Sequence, residues 1–401
     1  MGRPKTSARL SVLIVFFVNG AVFANWAPRI PEIQNSLSID VATLGLALAG
    51  VGVGGLAAAP VAAVLVHRFG SRWAVLASGL LLCGAFVLPA VAVSWWTLLA
   101  ALVLLGGADA VMDISMNAQG VLVEERAGRS LLSGFHAAWS VGAVVGGVTG
   151  SAAAGARLPV AVHFACVAVV LVLALSAVGR GLLGPDTRLD ESADGPTPQP
   201  AVGRPIAALA MLGAVVLLAG LMEDFPQSWS AVYMTAEQGA GPGAAGLAFV
   251  AFSVAMLVGR LVGDRIVDRF GPSSVLTGGA ALVAVAFAGI AGLSVLAVDV
   301  PVLVIAAFAV AGLGSSPLFP IVFSLAGRLP GVSSAAAIST VSLISRAGFL
   351  LAPLVVGRVV EASGFGSVLA AIAAAGAVVA VIGWLYGRKF PVDSAQDCGS
   401  R

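Results

Sequence analysis

Apolar stretches of about twenty residues alternate along this chain with short polar turns, and twenty residues is the length a helix needs to cross a bilayer. Twelve windows read in this way, at 10–27, 41–66, 74–92, 96–119, 131–153, 159–178, 206–228, 244–262, 275–296, 300–326, 335–356 and 367–386. Eight carry no charge. The fourth holds Asp109 and Asp113, the seventh Glu223 and Asp224, the eighth Arg260 and the eleventh Arg346. The pattern predicts an all-α integral membrane protein with twelve transmembrane helices. The longest polar stretch, 181–205, contains Pro185-Asp186, Asp190-Glu191 and Pro196-Thr197-Pro198 and reads as a flexible linker. It separates 1–180 from 206–390, six windows each, and 391–401 forms a polar tail. The first window follows a basic flank and mimics a signal sequence. Asn25, Trp26 and Pro28 make a poor small-residue cleavage site, so it reads as a retained helix.

Composition changes the picture only by sharpening it. Of 401 residues 59% are apolar and 10% charged, where soluble domains carry about a quarter charged. The mean hydropathy is +1.04. Too few charges remain to cover a folded particle in water, which argues against a soluble enzyme, a nucleic-acid binder and a disordered scaffold. The formal charge of +2 matters less than its distribution. Seventeen of the 21 basic side chains fall on or beside one face, among them Arg68, Arg72, Arg126, Arg260, Arg269 and Arg388. Arg29, Arg157 and Arg358 fall on the other, and Arg346 within a window. The positive-inside rule then places both termini in the cytoplasm. Cys83, Cys166 and Cys398 are far apart, with no metal spacing, and neither a metal nor a cofactor is expected.

The two sides of the linker echo each other at an offset of 201. Gly45-Leu46-Ala47 recurs as Gly246-Leu247-Ala248, and Arg68-Phe69-Gly70 as Arg269-Phe270-Gly271. Echoes at equivalent positions, with an even six-plus-six split, indicate two parallel halves. The turns His67-Arg68-Phe69-Gly70-Ser71-Arg72 and Asp268-Arg269-Phe270-Gly271 resemble the signature cytoplasmic loop of the major facilitator superfamily. Met116-Asn117-Ala118-Gln119-Gly120, Phe135-His136-Ala137-Ala138-Trp139-Ser140, Trp229-Ser230-Ala231-Val232-Tyr233 and Gly259-Arg260-Leu261-Val262-Gly263-Asp264-Arg265 are similar to a branch of bacterial inner-membrane transporters related to fucose permease. The resemblance implies secondary transport by alternating access, with a small solute, protons and the lipid bilayer as partners, and a monomer.

Charged groups at membrane depth cost about 2.5–3.5 kcal/mol each on insertion scales and seldom sit there idly. Asp109, Asp113 and Asn117 are spaced i, i+4, i+8 on one helix face. Two carboxylates on one face repel, so one of them exchanges protons. The segment is similar to the part of fucose permease where an acid takes part in proton coupling, which makes Asp113 the first candidate carrier; a packing acid in a permanent ion pair is the alternative. Fucose permease also has an aspartate on its first helix. Here that window offers only Asn19 and Asn25, with Asn25 a candidate solute ligand or helix cap. His136 reads as a relay beside Asp113 or as a neutral helix-packing imidazole. Trp139 and Trp229 offer rings for a solute, whereas Trp95, Trp96 and Trp384 read as interface anchors. Glu223 and Asp224, followed by Pro226, mark a place where the helix can break at a cavity. Arg346 reads as the only deep cation, pairing with an acid or meeting an anionic group of the solute. Gly312, Gly314, Pro317 and Pro320 predict an interrupted tenth helix.

Gly50-Val51-Gly52-Val53-Gly54-Gly55 matches a dinucleotide fingerprint but follows no strand, so helix packing explains it better. Gly142, Gly146 and Gly150 have the same explanation. They approximate the antiport motif of drug exporters, with Gly147 where a proline is expected. No phosphate cradle appears, which argues against ATP-driven transport, and no nucleophile–base pair argues for an enzyme. The leading expectation is proton-coupled transport of a small polar or anionic solute, sugar-like or an organic acid. The alternative is export of drugs or metabolites by proton antiport. His67, Arg68, Gly70, Arg72, Asp264, Asp268, Arg269 and Gly271 form the expected gate loops, with Asp268 the acid that His67 replaces in the first half.

Overall fold

A computed structural model of the protein describes residues 3–128, 131–184, 204–329 and 331–389. Most of the 181–205 linker and all of the 391–401 tail, with Cys398, lie outside the described residues. The described chain is all-helical: α1 (Arg3–Trp26), α2 (Ile30–Leu37), α3 (Val41–Phe69), α4 (Ser71–Ala85), α5 (Trp95–Ala127), α6 (Leu132–Gly155), α7 (Val160–Val178), α8 (Arg204–Asp224), α9 (Ser230–Glu237), α10 (Pro242–Ala245), α11 (Leu247–Phe270), α12 (Pro272–Val295), α13 (Pro301–Ser315), α14 (Leu318–Gly327) and α15 (Ser334–Lys389).

Eleven helical segments among the described residues are long and apolar enough to cross a membrane. The first runs Ala8–Leu37, longer than its window, because a 3-10 turn at Ala27–Arg29 carries the chain from α1 into α2. The last, Ala336–Lys389, contains 54 residues, about 80 Å at 1.5 Å per residue, against a hydrocarbon core of about 30 Å. It covers both the eleventh and the twelfth windows, and inside it Gly364 leaves the helix at φ 77°, ψ 169°.

Lipid tails are as apolar as leucine, so helices in a bilayer associate where small residues let backbones approach. Here the glycines do this. A Cβ on Gly54 or Gly106 would meet the Val103 and Val51 carbonyl oxygens, locking α3 to α5. Gly142, Gly146 and Gly150, one turn apart, approach Phe17, Ala21 and Asn25 of α1. The Gly50–Gly55 run is therefore a packing face. Gly70 and Gly271 have the same backbone conformation, φ 80°, ψ 152° and φ 79°, ψ 153°, each ending one helix and starting the next. That region of φ is open mainly to glycine, so the echo at an offset of 201 is one of shape as well as letters.

Two seams join the helices before the linker to those after it: α3 against α15, and α6 against α11. Gly45 approaches Pro353 and Gly357, Gly52 approaches Leu350, Gly147 approaches Phe249 and Gly243 approaches Gly155. These contacts lie between mid-depth and the end remote from the arginine-rich turns. At the arginine-rich end the helices diverge. From Arg260 to Phe270 no residue is buried, and over 60–69 only Ala62 is. The seventh segment is irregular where Pro226 stands, with a π-turn at Phe225–Trp229 between α8 and α9. The tenth is broken between α13 and α14, beside Pro317, as its glycines and prolines lead one to expect.

Gly106→Leu should force α3 and α5 apart and cost at least the 1–3 kcal/mol or so of an overpacked core. Gly84→Leu, where a Cβ meets nothing within 4 Å, should unfold like the parent in a thermal scan in detergent.

Candidate functional site

Between the seams lies a cavity of about 480 Å³. Its polar wall consists of Asn19 from α1, Asp109 and Asp113 from α5, His136, Trp139 and Ser140 from α6, and Glu223 and Asp224 from α8. Gln227 and Ser228 at the π-turn, Ser253 and Arg260 from α11 and Arg346 from α15 complete it. Phe23, Leu48, Phe249, Phe252, Met256 and Phe349 are among the apolar residues that line the rest. The i, i+4 spacing of Asp109 and Asp113 delivers both carboxylates to the same space, and the irregular turn after Asp224 brings Gln227 and Ser228 beside the second acidic pair.

Each acid has a distinct environment. Asp109 accepts from Asn19 Nδ2 at 2.7 Å. Asp113 is held on its own helix by Asn117 Nδ2, at 3.1 Å to the carboxylate and 2.9 Å to the backbone oxygen. Glu223 lies 3.8 Å from Arg260 and accepts from Gln227 at 3.3 Å. Asp224 Oδ1 accepts from Ser228 at 3.1 Å. Arg346 has no carboxylate within 4 Å among the described residues, yet its charge acts on both Asp109 and Asp113. Arg260 also donates to Ser140 Oγ at 3.3 Å and stands 5.9 Å over the Trp139 ring. The Trp139 indole in turn donates to Asn19 Oδ1 at 2.8 Å.

Five expectations need correction. Arg260 is not a surface charge on the basic face: it sits at cavity depth, so Arg346 is not the only deep cation. Asn25 is buried away from the cavity, donating to the Ala21 carbonyl at 2.8 Å and accepting from Thr149 at 2.8 Å. His163 Nε2 lies 3.1 Å from the same Asn25 oxygen. Trp229 is fully buried and absent from the cavity wall, so its ring is not available to a solute. His136 makes no hydrogen bond to Asp113; its ring meets Phe16 edge-on at 5.2 Å. Asn117 stands behind Asp113 rather than on the wall. Reading the sequence missed Asn19, Ser140, Gln227 and Ser228 as site residues. The usable signal was a polar side chain in an otherwise apolar window, and for Ser140, Gln227 and Ser228 its place one helical turn from another site residue.

At the remote end the polar groups are closed in. Arg29 is fully buried, donating from Nη2 to Glu32 at 2.6 Å and to the Leu158 carbonyl at 2.5 Å. Its Nε and Nη1, His163 Nδ1 and Ser151 Oγ find no protein partner. At the basic end, Arg68 and Arg269 each stand over the following phenylalanine, at 5.5 and 5.4 Å. Asp264 and Asp268 are exposed there, with no ion pair to another described residue.

The chain matches the Major Facilitator Superfamily over residues 12–222 and again over 212–397. An uncharacterised MFS-type transporter of Yersinia pestis is 32% identical over 362 residues, covering 90% of this chain and 91% of that protein. The membrane protein MosC of Rhizobium meliloti is 31% identical over 385 residues, covering 94% and 90%. Among solved structures, a mutant of the nucleoside transporter NupG superposes with a TM-score of 0.73 at 14% identity, over 94% of this chain and 99% of that one. A bacterial homologue of the human lysosomal transporter Spinster, inward-facing and unoccupied, gives 0.77 at 15% identity over 97% and 98%. The protein belongs to the Major Facilitator Superfamily and is a multi-pass membrane protein of the transporter class.

If Asp268 is the anchoring acid of the gate loops, Asp268→Asn should raise the fraction of molecules open at the basic end far more than His67→Ala does. Cysteine-accessibility labelling of that face reads the difference; an equal shift would assign the latch elsewhere.

Proposed function

We propose that the protein is a proton-coupled secondary transporter of a small polar solute bearing an anionic group, working in a bacterial inner membrane by alternating access. The reading takes twelve spans in two parallel halves, 1–180 and 206–390, with both termini in the cytoplasm. The break at Gly364 supports two crossings within the long final helix, and a segment of 54 residues fits two bilayer thicknesses better than one. The arginine-rich end becomes the cytoplasmic one, so the cavity faces the cytoplasm.

One observation carries the solute class. Arg346 is the cation on the cavity wall without a carboxylate within 4 Å, and a guanidinium at this depth requires an anion or a well-placed acceptor. A solute carboxylate or phosphate would complete it while displacing its field from Asp109 and Asp113. Those two acids are then the groups whose protonation changes when the solute arrives, which is the linkage a symporter needs. Trp139, its edge tied to Asn19, presents a fixed ring beside them.

In proteoliposomes, Asp113→Asn should lose accumulation driven by an imposed pH gradient while solute exchange persists. Normal gradient-driven uptake would remove Asp113 from the mechanism. Arg346→Ala should weaken solute binding about 10- to 100-fold, the range of a lost charge-assisted hydrogen bond, and Arg346→Lys should retain part of it. Recovery of Arg346→Ala by neutralising Asp109 or Asp113 would instead mark an internal ion pair.

A further inference from the structure

The polar side chains of the cavity form a continuous chain from α5 through α1 and α6 to α11. Asp109 Oδ1 takes the Asn19 amide N–H, and Asn19 Oδ1 takes the Trp139 indole N–H. The indole ring lies beneath Arg260, which reaches on to Ser140 and Glu223. Asn19 is buried, and Asp109 and Trp139, its two partners, are half-buried.

The chemistry of these groups fixes the direction of the chain. An indole N–H only donates, so it must meet the amide oxygen; an ionised carboxylate only accepts, so it must meet the amide N–H. Both bonds coexist while Asp109 presents an acceptor. A proton on Oδ1 sets two donors face to face. A proton on Oδ2 leaves a neutral acceptor, and a bond to a neutral group is about half as strong as a charge-assisted one. Turning the amide over would satisfy the acid but bring its N–H₂ against the indole N–H. Each route loosens the anchor of Trp139. Asp113 has no such route, because its partner Asn117 lies four residues along the same helix.

We propose that Asn19 is the positioning residue that carries the charge state of Asp109 to Trp139, and through it to the Arg260 contact across the α6–α11 seam. The proposal rests on the proton-coupled reading above and adds a physical path from the acid to the contact between helices of opposite halves. Asp113 on its own helix and Arg346 from α15 are the other charged groups acting on Asp109. Arg260 from α11 and His136 on the same helix are those near Trp139. At this depth α1 brings only Asn19, and α3 brings no charged group.

Protons alone are a sufficient probe. The Trp139 component of fluorescence, taken as the difference between the parent and Trp139→Phe in detergent, should change in one step as pH is titrated. Asp109→Asn and Asn19→Leu should each abolish the step. Their double variant should behave like either single, since both cut the same path. Survival of the step in Asn19→Leu but not in Asp109→Asn would overturn the role of Asn19. Absence of any step in a parent protein that still shows gradient-driven, Asp113-dependent uptake would overturn the relay while leaving proton coupling intact. Uptake indifferent to a pH gradient would instead sink the underlying reading. If Asn19→Leu does not fold, labelling of a cysteine at Val64, exposed on α3 at the basic end, provides a second measurement. Its rate should depend on pH in the parent and lose that dependence in Trp139→Phe; an unchanged pH dependence would count against the relay.

Discussion

An ionised side chain in the hydrocarbon core costs about 2.5–3.5 kcal/mol on insertion scales, and this protein holds six ionisable ones around one cavity. Asp109, Asp113, Glu223, Asp224, Arg260 and Arg346 come from four helices and all line one cavity. Their cost is met by grouping: each can act on another or accept a bond from a neighbouring amide or hydroxyl. Everything else in the fold serves that grouping. The glycine-lined seams bring helices close enough to exclude lipid, and the irregular turns at Pro226 and Pro317 put polar backbone only where protein surrounds it.

The cavity divides its charge unequally between the two sides of the linker. Asp109 and Asp113 stand on the N-terminal side with amides for partners, whereas both arginines come from the C-terminal side together with Glu223 and Asp224. Arg346, the arginine with no carboxylate beside it, therefore attracts Asp109 and Asp113 across the cavity.

Much of this was legible in the residues. Window lengths, the offset of 201 and the paired turns at Gly70 and Gly271 follow from short-range rules of hydropathy and backbone conformation. The i, i+4 spacing of Asp109 and Asp113 was enough to place both on the cavity wall. What was not legible was lateral distance. Asn25 and Asn19 lie on the same helix, six residues apart, but opposite neighbours await them: Thr149 and His163 for one, Asp109 and Trp139 for the other. Arg260 was misread because its window ends two residues later, and charge near a window's end looks like a flank. Trp229 was misread because a tryptophan beside two acids suggests a binding ring, whereas here Phe225 and its neighbours fill the core around it.

The remote end of the molecule is shut over groups that protein alone does not satisfy. Arg29 uses one of its three nitrogens and leaves two without a protein partner, and His163 and Ser151 each keep an unmatched atom nearby. A buried donor of this kind carries a penalty of about 1–3 kcal/mol, and hydration removes it. Water reaching Arg29, His163 or Ser151 would find donors and acceptors already in place. Such a closure is strong in its packing and weak in its polar contacts.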